Sequence, residues 1–211
     1  AASWLLDGVF LNYNSSYLEQ MLEQLLDEDD SPEITRFLRA VDVRIDGFRV
    51  EKAPEWRGQR VFVKHEVDGK GYELRLSEES AGTQKLMGLA AFLLAALERG
   101  GTVVVDELDA KLHPKLLRYV ILLFKDPEVN KSGAQLIFSS QDVSTMRNDV
   151  FRRDEIWFAA RGEGEASQLW SLADIHESNG NLVSKNAAFD KQYLSGRYGA
   201  DPYLTRIEEW D

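Results

Sequence analysis

Two adjacent carboxylates, Asp106 and Glu107, directly follow an uninterrupted run of apolar or β-branched residues, Thr102 to Val105. Such a run is typical of a strand that is buried on both faces of a parallel sheet. Ionised side chains at the end of a buried strand need a cation or a hydrogen-bond partner, because removing them from water is costly. The pattern therefore predicts a cleft at this strand end that holds Mg²⁺ and phosphate. The alternative is an ordinary strand that ends in solvated acids.

Two further polar clusters lie where α/β proteins bind ligands. Ser80 to Gln84 opens a long apolar helix, and the backbone N–H groups at such a helix start attract anions, although Ser80 could also serve only as an N-cap. A second strand of the buried type, Gln135 to Ser139, is followed by the polar segment Ser140 to Asp142. The interval from Ser80 to Asp106 has room for one turn, one helix and one strand, which fits an α/β fold.

Hydrophobic periodicity predicts the elements that lead up to these clusters. Residues 16–26 repeat apolar pairs at helical spacing, and Ser31-Pro32-Glu33 predicts an N-cap and the start of a short helix that ends near Ala40. Residues 41–76 alternate as strands do from Val41 onward, so they predict an antiparallel unit. Asp68-Gly69-Lys70-Gly71 supplies its hairpin turn.

The elements downstream are predicted in the same way. The helix that opens at the Ser80 cluster continues through Leu97 and ends at Gly100-Gly101, and a further helix runs from Pro114 to about Lys125. Residues 156–160 and 167–171 predict a hairpin, and a last helix lies near residues 187–194. Tertiary packing must bring the clusters together from these elements.

Composition excludes several classes of function. A net charge of −11 argues against a surface built mainly to wrap a polyanion, although a local basic patch remains compatible with it. The absence of cysteine excludes disulfides, thiol catalysis and cysteine zinc sites, and it fits a cytoplasmic protein. The longest apolar run, Leu89 to Leu97, is too short to span a bilayer, and no signal peptide opens the sequence. We therefore expect a cytoplasmic protein with no membrane association.

In combination, these motifs resemble the carboxyl-terminal half of an ABC-type ATPase head, as found in ABC transporters, SMC-like chromosome proteins and OLD-like nucleases. Residues 80–84 resemble the signature motif and residues 103–107 the Walker B motif. Leu108-Asp109 resembles the D-loop, and Gln141 falls where the switch residue belongs. A narrower resemblance is to stand-alone AAA-type, ABC-like ATPases of bacterial anti-phage and abortive-infection systems. It covers most of residues 41–205 and rests on four segments: Glu79–Thr83, Asp106–Pro114, Phe138–Asp142 and Tyr193–Pro202.

The resemblance implies an α/β P-loop NTPase fold of the ABC-ATPase head type, in which a mainly parallel sheet is flanked by helices. We expect residues 1–40 to form the end of a helical insert, residues 41–76 an antiparallel β segment, and residues 77–211 the carboxyl-terminal lobe. No Walker A motif occurs in the sequence, since Gly69-Lys70 lacks the upstream glycine and the following Ser or Thr. The resemblance therefore implies an amino-terminal lobe with Walker A that lies upstream or in another chain, and the opening residues do look like the middle of a longer protein.

The resemblance also implies ATP and Mg²⁺ as cofactors and a role for each residue near the phosphates. Asp106 would hold Mg²⁺ through water, and Glu107 would orient or deprotonate the attacking water. Gln141 would contact that water or the γ-phosphate through its amide. Unlike the histidine of transporters, glutamine cannot carry a positive charge at neutral pH, so slow turnover is expected.

In this class of head, two protomers enclose two nucleotides between them. The signature residues of one protomer would cap the γ-phosphate bound to the other, and Asp109 would act across the dimer interface. The implied cap consists of Ser80, Ala81, Gly82 and Thr83. The implied partners are a second copy in a homodimer or higher oligomer, and a nuclease or toxin effector controlled in anti-phage defence. A nucleic-acid contact stays open.

Other interpretations stay open beside this one. Asp106, Glu107 and Asp109 could form the metal cluster of an OLD/TOPRIM-like nuclease, and the chain could also be an SMC-like DNA-associated structural ATPase or a dimerisation module with a vestigial ATPase. His65 and His113 are interpreted as structural residues. The basic cluster Arg147, Arg152 and Arg153 is interpreted as a solvated face in preference to a nucleic-acid contact.

Overall fold

The structure is a computed structural model that describes residues 9–11, 32–41, 43–52, 59–161 and 166–200. The chain divides into two compact units, residues 1–141 and 142–211. The elements described in the first are β1 (Val9–Leu11), α1 (Pro32–Ala40), β2 (Gly47–Lys52), β3 (Gln59–Val67), β4 (Lys70–Arg75), α2 (Ala81–Arg99), β5 (Thr102–Val105), α3 (Pro114–Lys125) and β6 (Gln135–Phe138). Those of the second are β7 (Trp157–Arg161), β8 (Ser167–Ser171) and α4 (Phe189–Leu194).

A parallel sheet of three described strands, in the order β1-β5-β6, carries the two carboxylates that follow β5. Together with the flanking helices it confirms the expected α/β fold. Strand β1 was not predicted, because three residues are too few to show a period. The predicted helix over residues 16–26 and the predicted N-cap at Ser31 lie outside the described residues, and the proposed domain boundaries stay predictions.

The two faces of this sheet are not equally buried. Val103 and Val105 are each only 1% exposed, whereas the side chains that alternate with them in β5 are partly exposed. The prediction that Gln135 to Ser139 is a second buried-type strand is wrong, since β6 alternates between exposed and partly exposed residues and Ile137 is 56% exposed. The reason is that β6 ends the described strand order and that Ile137 pairs with Val104, on the less covered face.

The antiparallel unit is a three-stranded sheet in the order β2-β3-β4. Asp68 and Gly69, with φ of 51° and 73°, form the predicted hairpin turn between β3 and β4. The prediction that strand structure begins at Val41 is wrong, because β2 begins only at Gly47. The preceding segment instead folds back on α1, where Arg39 donates from Nε to the carbonyl of Ile45 at 2.8 Å.

Helix α2 is the most deeply packed element of the first unit. Its buried side chains lie on nearly all faces, as the sequence predicts, and it packs against α1. The helix ends at Arg99, directly before the predicted stop at Gly100-Gly101, and Gly100 lies in the left-handed region with φ of 72°. Helix α3 begins at Pro114, and Nδ1 of His113 accepts a hydrogen bond from the N–H of Lys115. His113 therefore has the predicted structural role as an N-cap. Among the described residues, no helix has both the length and the apolar character needed to cross a membrane.

The second unit packs an aromatic core on the predicted β7–β8 hairpin. The ring of Phe158 stacks on that of Tyr193, with centroids 5.7 Å apart, and lies 5.3 Å from the ring of Tyr198. Tyr198 donates from its hydroxyl to Oε1 of Gln192 at 2.6 Å, and its carbonyl accepts from the indole N–H of Trp170. Burial raises the pKa of Tyr198 to about 12. The segment around Tyr198 therefore closes the core of this unit.

Replacing Tyr198 with phenylalanine should lower the stability of the second unit. The Tyr198→Phe variant removes the O–H donor and leaves the side-chain oxygen of Gln192 without it, which costs about 1 kcal/mol of the free energy of unfolding. Denaturant titration measures this difference. Leu194→Ala, at an exposed position of α4, is the control and should change stability by less than about 0.5 kcal/mol. Equal effects of the two variants would contradict the assignment of Tyr198 as a core hydrogen-bond donor.

Candidate functional site

The register of two parallel strands brings the predicted carboxylates together with Ser139. Because Val105 pairs with Phe138, the residues that follow β5 and β6 meet at the same edge of the sheet. Ser139 donates from Oγ to Oδ1 of Asp106 at 2.5 Å and accepts at Oγ from the N–H of Glu107 at 2.8 Å. One hydroxyl thus holds both members of the acidic pair. No role was predicted for Ser139, although it lay at the end of the predicted strand and within Phe138–Asp142, one of the segments that carry the family resemblance.

Gln141 completes this cluster from the loop after β6. Its side-chain N–H group points to Oε1 of Glu107 at 3.5 Å, the outer limit of a hydrogen bond, and its backbone N–H donates to Oδ1 of Asp109 at 3.3 Å. The side chains of Glu107 and Gln141 are exposed, whereas Asp106 and Asp109 are partly covered. The structure therefore brings together Asp106, Glu107, Asp109 and Gln141 with one exposed carboxylate among them.

The turn before α2 packs against the loop that follows β5. Ser80 is the N-cap of the helix, since its Oγ accepts from the N–H of Thr83 at 3.1 Å. Ser80 and Ala81 remain exposed. A Cβ atom on Gly82 would lie only 2.9 Å from the carbonyl oxygen of Lys111, so this approach requires glycine. The predicted signature turn and the acidic loop are therefore in direct contact.

A buried cation, Lys85, joins the same two segments. Its side chain donates from Nζ to the carbonyl of Glu107 at 2.6 Å and to that of Ala110 at 2.8 Å, and the residue is only 2% exposed. Burial lowers the pKa of Lys85 to about 8, against the attraction of the carboxylates of Asp109 and Glu107. Lys85 was not predicted as a functional residue. A lysine within a helix that is apolar on nearly every face was the signal that could have revealed it.

A second link connects the antiparallel sheet to the residue that precedes Ser80. Nδ1 of His65 lies 2.9 Å from the carbonyl of Arg44, and Nε2 lies 2.5 Å from Oε1 of Glu79. Because a carbonyl and a carboxylate only accept, an imidazolium satisfies both contacts. Burial opposes the charge on His65, but the hydrogen bonds to Glu79 and to the Arg44 carbonyl outweigh it and raise the pKa of the imidazole. His65 is therefore a structural link, as interpreted from the sequence.

The acidic pair fits a magnesium ion of the kind that binds with nucleotides. Mg²⁺ prefers hard oxygen ligands and is held in such sites by one or two carboxylates, with phosphate and water as the remaining ligands. Asp106, oriented by Ser139, supplies an oxygen of this type. No group of three His, Cys, Asp or Glu residues suited to a metal occurs in the described parts of the chain. The donor set thus fits a metal that is completed by phosphate oxygens and water.

The basic cluster of the second unit is balanced by local partners. Arg147 lies 3.2 Å from a carboxylate oxygen of Asp149, and Arg152 lies 2.8 Å from one of Asp154. Arg153 donates to a backbone carbonyl of the same unit. These contacts agree with the interpretation of the cluster as a solvated face.

Comparisons with known proteins place these residues in a wider context. The family described as "AAA domain, putative AbiEii toxin, Type IV TA system" matches residues 5–147, which is more than half of the chain. No curated protein matches the chain.

Solved structures of SMC heads are similar to the chain at low sequence identity. One, reported as "Structural biochemistry of ATP-driven dimerization and DNA stimulated activation of SMC ATPases", is 16% identical with a TM-score of 0.43, over 75% of this chain and 89% of that one. The SMC head domain from Thermotoga maritima is 15% identical with a TM-score of 0.42, over 78% and 52%. The Smc head domain of Pyrococcus furiosus bound to the C-terminal domain of ScpA is 20% identical with a TM-score of 0.39, over 66% and 34%. The chain thus spans about half of the second protein and about a third of the third.

The contact between His65 and Glu79 should make stability depend on pH. Because the pKa of His65 is raised in the folded state, the stabilisation is fully present below the unfolded pKa, near 6.5, and is lost as the pH rises through the folded value. His65→Gln should lower the free energy of unfolding by about 1.5 kcal/mol near pH 6 and by less near pH 8.5. Denaturant titrations at both pH values measure this.

His176→Gln is the matched control, because His176 is exposed and lies in the other unit. This control should not alter the difference in stability between the two pH values. If His65→Gln destabilised the protein equally at both, the imidazolium would not be the form that contacts Glu79.

Proposed function

Because this chain belongs to the family described as "AAA domain, putative AbiEii toxin, Type IV TA system", we propose that it is the part of an ATP-hydrolysing head that carries the signature, Walker B, D-loop and switch residues. One observation supports this most strongly. Ser139 holds Asp106 and Glu107 at the end of a parallel strand, and the turn opened by Ser80 packs against the same loop. Carboxylates held at the end of a parallel strand suit a site for Mg²⁺ and the terminal phosphates of ATP, and the turn beside their loop is the one proposed to meet the nucleotide of a second copy.

In this proposal the two acidic residues have different roles, one in metal binding and one in activating water. Asp106 would hold Mg²⁺ through water, and the ion would neutralise charge on the β- and γ-phosphates. Glu107 has an exposed carboxylate that accepts from Gln141 at the limit of hydrogen bonding, so it is available to orient the attacking water or take its proton. Gln141 would orient the same water through its amide. Because the amide stays neutral, turnover should be slow.

The turn from Ser80 to Thr83 would cap the γ-phosphate of a nucleotide bound to a second copy. Ser80 Oγ accepts from the Thr83 N–H at 3.1 Å and lies 2.8 Å from Oγ1 of Thr83. When Thr83 is the donor between the two hydroxyls, the Ser80 hydroxyl hydrogen can be donated to a phosphate oxygen. The N–H groups of Ala81 and Gly82 belong to the first turn of α2, where no intrahelical acceptor exists and the helix dipole favours an anion. Asp109 would act across the dimer interface, where it would respond to the state of the opposite nucleotide site. The proposed assembly is a homodimer or higher oligomer that encloses ATP.

Two parts of the complete ATPase assembly are proposed to lie outside these residues. The first is an amino-terminal lobe with Walker A, because no Gly-rich loop with Lys and Ser or Thr occurs in the sequence. The second is an effector. The family description names a toxin and a toxin–antitoxin system, so we infer that the head controls a nuclease or toxin in cytoplasmic anti-phage defence.

A metal-dependent nuclease of the OLD/TOPRIM kind and an SMC-like structural ATPase are the alternative functions. A nuclease would use Asp106, Glu107 and Asp109 as metal ligands. It would have no use for a helix start packed onto the loop that carries these acids, whereas Gly82 and Lys85 lie against backbone carbonyl oxygens of that loop. The packing therefore favours ATP over DNA as the substrate of this site.

Replacing Glu107 with glutamine tests the proposed reaction. In the intact protein, Glu107→Gln should lower ATP turnover by about 100-fold or more, because a general base contributes roughly that factor, while the ATP-bound dimer persists longer. Phosphate release and size-exclusion chromatography with Mg²⁺ and ATP measure the two effects. Glu128→Gln, at an exposed position between α3 and β6, should leave both unchanged.

Unchanged hydrolysis in Glu107→Gln would remove Glu107 from the mechanism. Magnesium-dependent cleavage of DNA by the wild-type protein, lost in Glu107→Gln, would instead support the nuclease. If Glu107→Gln changed neither ATP turnover nor the lifetime of the dimer, the chain would be a dimerisation module with a vestigial site.

A further inference from the structure

The loop from Asp106 to Lys111 has an unusual backbone that needs support. Glu107 and Lys111 adopt positive φ values of 49° and 62°, in the left-handed region that residues other than glycine rarely occupy. A residue in this conformation is strained, so the surrounding contacts must hold the loop in place. Short-range backbone bonds supply part of this support, since Ala110 donates to the Glu107 carbonyl at 3.0 Å and Leu112 to the Asp109 carbonyl at 3.0 Å.

Lys85 supplies support from outside the loop. Its ammonium group donates to two carbonyl oxygens of the loop, those of Glu107 and Ala110, from within the packed helix α2. A lysine at this depth is costly unless its N–H groups are satisfied, and an apolar residue would be the simpler occupant of the position. Lys111 opposes the charge on Lys85, while Asp109 and Glu107 favour it. The position therefore makes physical sense as a tie between the helix and the loop.

The same helix carries the turn that would meet the phosphate. Ser80 caps α2 and Lys85 lies in its second turn, so a displacement of the helix start also displaces the ammonium group. Gly82 packs so closely against Lys111, at the other end of the loop, that a Cβ atom on it would lie only 2.9 Å from the Lys111 carbonyl oxygen. Gly82 and Lys85 thus join the start of α2 to both ends of the segment that presents Glu107.

We propose that Lys85 is a positioning residue that couples phosphate contact at the Ser80 turn to the orientation of the Glu107 carboxylate. This inference rests on the proposed ATPase function and adds a means by which the second copy controls hydrolysis. When the turn engages phosphate, α2 is fixed, and Lys85 holds the carbonyl of Glu107 in the position that directs its side chain toward the attacking water. Without Lys85, nucleotide would still bind, but the carboxylate would be poorly placed.

The test uses Lys85→Met in the intact protein, because methionine has similar length and no charge. We expect kcat for ATP to fall by about 100-fold, the cost of a small misplacement, with KM changed by less than about threefold. Hydrogen exchange of the Ala110 and Leu112 amides should be about tenfold faster or more, because the loop loses its support. Lys115→Met, at an exposed position in the first turn of α3, is the control and should leave both measurements unchanged.

A double-mutant cycle with Ser80→Ala separates coupling from a merely structural role. If Lys85 transmits the contact made by Ser80, kcat of the double variant should be little lower than kcat of the more impaired single variant. Losses that multiply would overturn the proposal, as would wild-type kcat in Lys85→Met. Should the methionine variant fail to fold, Lys85→Gln is expected to fold because it keeps a polar side chain, and to show the same loss of kcat because its amide ends one bond short of the position of the lysine Nζ.

Failure of this inference is distinguishable from failure of the proposed function. If the wild-type protein hydrolyses ATP and Glu107→Gln does not, an active Lys85→Met removes only the role of Lys85. If neither the wild type nor any variant hydrolyses ATP, the proposed function fails, and the coupling proposal fails with it.

Discussion

The hydroxyl of Ser139 is the contact on which the geometry of the site depends. It donates to the Asp106 carboxylate and accepts from the Glu107 N–H, so it links β6 to the first residues beyond β5. The parallel register of the two strands puts Ser139 within reach, and the carbonyl of the same residue accepts from the N–H of Leu108 at 3.0 Å. A shift of that register by one residue would turn Ser139 to the other face of the sheet and separate it from the acids.

Around this contact, the buried helix α2 acts as a rigid support. Two left-handed residues in the acidic loop cost on the order of 1 to 3 kcal/mol each, and charge-assisted hydrogen bonds of about 1.5 to 3 kcal/mol each can offset them. Lys85 supplies two such bonds to the loop. The compensation of backbone strain by these hydrogen bonds explains why a cation occupies a buried position in an otherwise largely apolar helix. Stability and site geometry therefore depend on the same residue.

Local signals allowed much of the fold to be predicted from the sequence. Pro114 marks the start of α3, Gly100 follows the end of α2, and Asp68-Gly69 forms the β-hairpin turn, because each residue acts through its own backbone preference. The acidic pair after β5 was recognisable because it directly follows a run of apolar and β-branched residues. Its partner Gln141 was placed at a strand end by the polar segment Ser140 to Asp142, but its role came only from the resemblance to a family.

Contacts between residues that are distant in the sequence could not be predicted in this way. Lys85 and the Glu107 carbonyl, or His65 and Glu79, meet only after the elements have packed, and no periodicity marks them. The segment before β2 was misassigned for a related reason. Its alternation resembles that of a strand. The carbonyl of Ile45, however, accepts a hydrogen bond from Arg39 at the end of α1, and the strand begins only at Gly47.

The most direct test of the account is a structure of the intact Glu107→Gln protein with Mg²⁺ and ATP. The account predicts that the γ-phosphate lies between Asp106 of the protomer that binds the nucleotide and the Ser80 turn of the other, with hydrogen bonds from the Ser80 hydroxyl and the Gly82 N–H. It also predicts that Lys85 still contacts the carbonyl of residue 107. A nucleotide bound away from both Asp106 and the Ser80 turn would contradict the assignment of this sheet edge as an ATP site.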